Sequence, residues 1–239
     1  MNGHKAIARE GVRLVSLPHI QPQRISEINQ FVENLARVKL PSNACNQYSY
    51  EVNAHSLRRH NLLLYLQQML TLNPQVLLVG EAPGYRGCRL TGVPFTSEFI
   101  LMNGLEKLGL FGQSRGYRIS DESKTLSREA SASIVWETLE TAQFVPLIWN
   151  AFPFHPFQSG SERSNRKPKG TELLIGQEFL QRLIQLFDIQ TVVAVGNTAA
   201  SSLKRQGIDY QKVRHPSHGG KTQFTIGIRE AIAFRRSNL

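Results

Sequence analysis

The 239-residue sequence is short of cysteine, of acidic side chains and of long apolar runs, and each shortage removes a class of protein. Two cysteines, Cys45 and Cys88, cannot build a disulfide framework or a four-thiolate metal centre. One bridge between them is the most the count allows, and a reducing intracellular setting fits it best. No stretch reaches the roughly 20 apolar residues that span a bilayer, which excludes a membrane-spanning helix. The opening MNGHKAIAREGVRL has no apolar core for secretion, so the expected location is the cytoplasm. Lys5, Arg9 and Arg13 there read as an ordinary basic terminus rather than an organellar presequence. Asp and Glu number 18 against 28 Lys and Arg, a formal charge of +10. That imbalance names a polyanion as the partner class, nucleic acid first.

What is present is enough apolar material, 41% of residues, for one sizeable core, arranged as an alternation of helix and strand periods. Apolar side chains recur at helical spacing over 24–40, where Pro41 is the expected stop, and over 56–72 after the polar stretch SNACNQYSYEVNA. Strands follow at 76–79, 144–149 and 191–195, with a fourth ending at Val213. Helices are expected at 97–110 with Ser97 as N-cap, and at 127–143, 171–187, 197–204 and 225–235. No internal repeat is visible. Strand, loop and helix in this rhythm predict an α/β fold, a three-layer α/β/α sandwich on a central, mainly parallel four-stranded sheet. Residues 1–72 are expected to form a helical extension packed on an α/β domain of 73–239.

In such sheets ligands sit at the carboxyl ends of the strands. GEAPG follows the first strand, NAFPFHP the second, GNTAA the third and RHPSHGG the fourth. Taken singly, each is ambiguous. GEAPG is an ordinary strand-to-helix turn as readily as a phosphate cradle, and Glu81 alone reads as a solvated carboxylate. Asn150 can serve as an Asx-turn or cap residue, or offer a donor and an acceptor to a planar heterocycle. A glutamate, a loop-end Phe95, an asparagine and His215 at successive strand ends would nevertheless converge on one cleft.

The ordered set GEAPG…TGVPF, NAF, VGNTA and HPS resembles the uracil-DNA glycosylase superfamily, over roughly Pro74 to the C-terminus. The first motif is most similar to the branch reading GEAPG with a following TGxPF. The resemblance implies an enzyme that hydrolyses the N-glycosidic bond of uracil in DNA and leaves an abasic site, acting as a monomer on single- or double-stranded DNA. It implies that His215 stabilises charge on the uracil carbonyl beside the glycosidic nitrogen, that Asn150 reads the opposite edge, that Phe95 stacks on the everted ring, and that Glu81 positions the attacking water. Gly80, Ala82, Pro83, Gly84 and Ser217 complete the pocket. Arg86, Arg89, Arg163, Arg166, Lys167, Lys169, His218 and Lys221 are the candidate DNA contacts.

Four departures qualify the likeness. Ala82 stands where the best-known branch has an aspartate, and Gly84 where it has an aromatic that excludes the thymine methyl. Iron–sulfur members use four cysteines, so no cluster, metal or other cofactor is expected here. The loop after HPS, His218 to Lys221, lacks the aliphatic wedge that enters a duplex, which points toward single-stranded DNA. The alternatives are a superfamily member that binds a damaged base without cutting it, or one specific for another base.

Overall fold

The computed structural model describes residues 21–120 and 125–237; the expectations for Lys5, Arg9, Arg13 and the start of the extension lie outside them. Helix α1 (Pro22–Arg37) opens with proline, whose fixed φ suits a first turn, and buries Ile28, Phe31, Val32 and Leu35. It stops before Pro41. The Asn46 carboxamide donates to the carbonyls of Leu35 (2.8 Å) and Val38 (2.9 Å), satisfying acceptors that the helix end leaves open. A two-residue strand β1 (Ala44–Cys45) follows within the stretch expected to be loop, and then α2 (His55–Leu72).

The central sheet is built from β2 (Val76–Gly80), β3 (Leu147–Asn150), β5 (Thr191–Val195) and β6 (Gln211–Val213), with spatial order β3-β2-β5-β6 and every pairing parallel. The remaining strand, β4 (His155–Pro156), pairs antiparallel with β1. Between β2 and β3 lie α3 (Cys88–Thr91), α4 (Glu98–Asn103) and α5 (Ala130–Ala142); α6 (Gly170–Leu186), α7 (Asn197–Arg205) and α8 (Lys221–Ser237) follow later strands. The chain leaves β2 in one direction along the sheet and leaves β3 and β5 in the other. Because parallel crossovers are right-handed, α5 falls on one face and α6 and α7 on the opposite face. Side-chain contacts agree: Phe31 of α1 meets Trp149 of β3 at 5.4 Å and Phe179 of α6 at 5.7 Å, whereas Thr138 of α5 bonds Thr225 of α8 (3.1 Å). Helix α2 closes the outer edge of β3, where the Ile148 N–H donates to the Tyr65 hydroxyl (2.8 Å). That contact satisfies a group that an open edge would expose.

Two helices differ from the periodic reading. Helix α4 ends at Asn103 because Gly104 turns to φ 77, and the chain doubles back so that Gly112 N–H reaches Leu101 O (2.8 Å). Ser97 sits at the N-cap position without a capping bond. Helix α5 begins at Ala130 rather than Ser127. The Ser127 N–H binds Glu98 Oε2 (2.9 Å) and its hydroxyl binds Arg86 O (2.8 Å), which holds it out of the helix.

Neighbouring strands β2 and β5 send the chain in opposite directions. Their carboxyl ends are therefore the topological switch point of the sheet, the place where this architecture opens a crevice.

Candidate active site

That crevice is a cleft of about 440 Å³ lined by Glu81, Ala82, Pro83, Gly84, Phe95, Asn150, His215, Ser217 and His218 among others. Register accounts for the first part of it. Gly80 ends β2 directly beside Asn150 on β3, and the ladder continues past both strands through Ala151 N–H to Gly80 O (2.8 Å) and Phe152 N–H to Glu81 O (3.1 Å). Glu81 and Asn150 are thus fixed relative to each other by backbone. A Cβ on Gly80 would collide with the Phe95 ring and the Asn150 carboxamide oxygen, so only glycine leaves space at this point. Asn150 is 2% exposed, and its carboxamide has no hydrogen-bond partner among the described residues. The carboxamide is thus left to face the cleft, where a ligand can pair with it.

Phe95 holds φ 50, a left-handed conformation that bulky residues avoid. The turn is pinned around it: Thr91 Oγ1 donates to Thr96 O (2.8 Å), and the Trp136 indole N–H donates to Phe95 O (2.9 Å). A buried hydrogen-bond network of this kind offsets the roughly 1–3 kcal/mol that such a conformation costs. The result is a ring held over Gly80 and 6.3 Å from the imidazole of His215.

His215 follows β6 and is braced by its own turn. Its Nδ1 accepts the Ser217 N–H (3.2 Å) and contacts the Ser217 hydroxyl (2.7 Å). Because a backbone N–H can only donate, Nδ1 is an acceptor and the ring proton resides on Nε2. Burial pushes the imidazole below its ordinary pKa, helped by His218 and Arg214, and so favours this neutral form. Nε2–H has no partner among the described residues. Gly196 gives the ring room, since a side chain there would press on His215 Cβ. The first turn of α7, Asn197 and Thr198, also lines the cleft and adds the partial positive charge of a helix start.

The basic residues separate into two groups. Arg86, Arg163, Lys167, Lys169, His218 and Lys221 are exposed, and Lys167 and His218 line the cleft. Lys221 pairs with Glu137 (2.8 Å), while Arg86 lies 5.3 Å from the Tyr85 ring. Arg166 is engaged internally, with a two-pronged ion pair to Glu172 (2.6 and 2.8 Å) and bonds to the carbonyls of Phe157 and Asn43 (both 2.9 Å). Its fork braces the 157–169 loop, which leaves few donors for a phosphate. Arg89 is half-buried.

Three residues escaped the sequence reading. His155, fully buried, holds Pro83 O (2.8 Å) and Glu162 O (3.0 Å) and ties the long loop to the loop after β2. Arg214 and Glu129 line the cleft; Arg214 stands at the head of RHPSHGG without being singled out, and no motif marks Glu129. Cys88 also lines it, but burial pushes its thiol up to about 12, which makes it a packing residue. Cys45 and Cys88 are both free thiols, and two cysteines cannot supply the ligands of a four-thiolate cluster. Among the described residues no group of three or more His, Cys, Asp or Glu could hold a metal, and no helix is long and apolar enough to cross a membrane.

The profile of the Uracil DNA glycosylase superfamily matches residues 67–226, which carry every strand-end group of the cleft. The chain belongs to this superfamily. Membership makes it a DNA glycosylase, a hydrolase with DNA as its substrate. The fold is that of the crystal structure of wild-type SMUG2 from Pedobacter heparinus, with TM-score 0.64 and 17% identity over 90% of this chain and 98% of that one. No curated protein matches the sequence. The superfamily match begins inside α2.

Proposed function

We propose that this glycosylase removes uracil from DNA and leaves an abasic site. The observation that carries the reading is the open Asn150 carboxamide, buried beside Gly80 and under the Phe95 ring, with the Nε2–H of His215 in the same cleft. A carboxamide can donate to a ring carbonyl and accept from the adjacent ring N–H, which is the edge of uracil; cytosine presents the reverse pattern. The base would be everted from the strand and stacked on Phe95. As the C1′–N1 bond breaks, water adds to C1′ and the base departs with its electron pair. The developing charge on the carbonyl beside N1 would meet His215 Nε2–H, a preorganised donor. Glu81, whose carboxylate has no hydrogen-bond partner among the described residues, would orient the water, take its proton and favour the cationic sugar. Arg86, Arg163, Lys167, Lys169, His218 and Lys221 would follow the phosphates. The enzyme is read as a cytoplasmic monomer that prefers single-stranded DNA, since the 218–221 loop offers no aliphatic wedge.

The test is strand scission by alkali after incubation with oligonucleotides carrying one uracil, hypoxanthine or mismatched thymine. Scission at uracil is expected, with a loss of about 10²-fold or more in His215→Ala and in Glu81→Gln. Asn150→Asp should abolish activity or shift it toward cytosine. Binding without scission would instead favour a recognition protein, the reading to which Ala82 lends weight, and scission at another base would reassign the substrate.

A further inference from the structure

His155 opens β4 fully buried, and both of its ring nitrogens face backbone carbonyls: Nδ1 lies 2.8 Å from Pro83 O and Nε2 lies 3.0 Å from Glu162 O. A carbonyl oxygen only accepts, so each bond needs a proton on the ring. The neutral imidazole has one such proton and makes one bond; the imidazolium makes both. The main chain of His155 is held without the ring, because its N–H donates to Gln47 Oε1 (3.2 Å) and the Gln47 carboxamide donates to Pro153 O (2.8 Å). What the second proton decides is therefore the tie between two loops. Pro83 is buried, two residues past Glu81, whereas Glu162 is exposed and adjoins Arg163. A carbonyl within reach of water loses its protein partner at lower cost, so the neutral ring keeps Pro83 and releases Glu162. The other bond between these loops, Tyr85 N–H to Asn165 Oδ1 (3.0 Å), is exposed.

Burial lowers the pKa of the ring, the charges of Arg89 on α3 and Arg166 on the long loop add to that, and the two carbonyls oppose it. Arg166 is partly neutralised by Glu172 of α6 (2.6 Å), Cys45 of β1 stands opposite His155 in the strand pairing, and the Phe157 ring stacks on the imidazole at 5.9 Å. A run of phosphates along Arg163 and Lys167 would offset this positive field and favour a second ring proton. We propose that His155 is a positioning residue for DNA: when a strand binds, the ring takes a proton from solvent, donates to Pro83 and Glu162 together, and clamps the loop bearing Arg163 and Lys167 onto the loop bearing Glu81. This inference rests on the reading of the 157–169 loop as a DNA contact.

The experiment uses the full chain and a single-stranded oligonucleotide without uracil. Calorimetric titration near neutral pH in two buffers of different ionisation enthalpy counts the protons taken up on binding, and affinity is followed from about pH 5.5 to 8, across the ordinary histidine range. The wild type is expected to take up protons and to bind more weakly as the pH rises, because binding raises the pKa of the ring; a rise of about one unit corresponds to about 10-fold in affinity. In His155→Gln, which donates without titrating, proton uptake should fall and that 10-fold should vanish. His215 and His218 are present in both proteins and cancel in the comparison. If circular dichroism shows the variant unfolded, the imidazole nitrogen-15 shifts of the wild type decide: His155 should carry two ring protons with the oligonucleotide bound and one without it. Equal proton uptake by variant and wild type, an affinity loss in His155→Gln that is the same at every pH, or a ring that stays neutral on binding overturns the proposal. Arg163→Ala combined with Lys167→Ala tests the parent reading by itself. That double variant should bind several-fold more weakly and with a flatter salt dependence; unchanged affinity would show that the loop is not a DNA contact, and the clamp would fall with it.

Discussion

Two carboxylates near the cleft have opposite fates. Glu172 opens α6, and its oxygens accept two bonds from Arg166 and one from the Lys169 N–H (2.6 Å), which satisfies a donor at the helix start. Burial alone would push its pKa up. The bonds from Arg166 and Lys169 outweigh that and leave it below the ordinary carboxylate range. Glu129 is half-buried without such bonds, and desolvation is left unopposed. A fold that can satisfy one carboxylate so fully does not leave another open for want of donors. The satisfied acid is architecture, and the open one faces the cleft where a substrate would supply what is missing.

The contrast breaks most directly at Glu172. Glu172→Ala would strand the Arg166 guanidinium, which is only 15% exposed, and uncap α6. The expected loss is about 3–5 kcal/mol in urea denaturation, against less than about 1 kcal/mol for Glu129→Ala. Equal losses from the two would remove the distinction between them.

The glycines offer a second comparison. Gly80→Ala drives a methyl into the Phe95 ring, whose backbone is pinned by Trp136, whereas Gly84→Ala meets only the far end of a flexible glutamate. Overpacking at Gly80 should cost about 1–3 kcal/mol and abolish glycosylase activity together with Phe95 stacking. Gly84→Ala should cost less, because the glutamate can turn aside, and should lower activity less than Gly80→Ala does. Thermal denaturation combined with the oligonucleotide assay reads both.

His215 stands between the two acids, with one ring nitrogen bound and the other open. Ser217→Ala removes the hydroxyl but leaves the backbone N–H that fixes the tautomer. One neutral hydrogen bond is worth about 0.5–1.5 kcal/mol, so kcat/KM should fall by about 2- to 10-fold. A loss as large as that of His215→Ala would mean that the hydroxyl, and not the backbone, orients the ring.

These residues also mark what the sequence makes legible. Three of the central strands are readable because each is an apolar run bounded by turn residues, and Asn150 because it follows such a run immediately; β6 has no such run, and it and His215 are readable only from the HPS turn that ends it. Phe95 is readable as a loop end, but its left-handed backbone depends on Thr91 and Trp136, the latter 41 residues away. Glu129 lies inside a stretch whose spacing reads as continuous helix, and there a glutamate looks like a solvated surface residue. Nothing local records that Gly84 and Gly87 leave room for it. Arg166 shows the reverse case. In a basic run it resembles a phosphate ligand, and only the return of the chain past Asn43 and Glu172 turns it into a brace.

The smallest expected effect has the most specific sign. Glu129 has a folded pKa of about 7 against 4.5 for an ordinary glutamate, so the folded state resists its ionisation. The resulting penalty is absent below about pH 4.5, grows between 4.5 and 7, and is complete above 7. Glu129→Gln carries no charge, so its melting temperature should equal that of the wild type at pH 4.5 and exceed it by a small margin at pH 8. Glu172 has a lowered pKa, so its contribution is complete above the ordinary carboxylate value and is lost as the pH falls. The deficit of Glu172→Ala should therefore be widest at pH 8 and narrow in acid. Raising the pH then moves the two variants away from the wild type in opposite directions, Glu129→Gln upward and Glu172→Ala downward. A Glu129→Gln curve that tracks the wild type from pH 4.5 to 8 would show that the carboxyl finds a partner in solution.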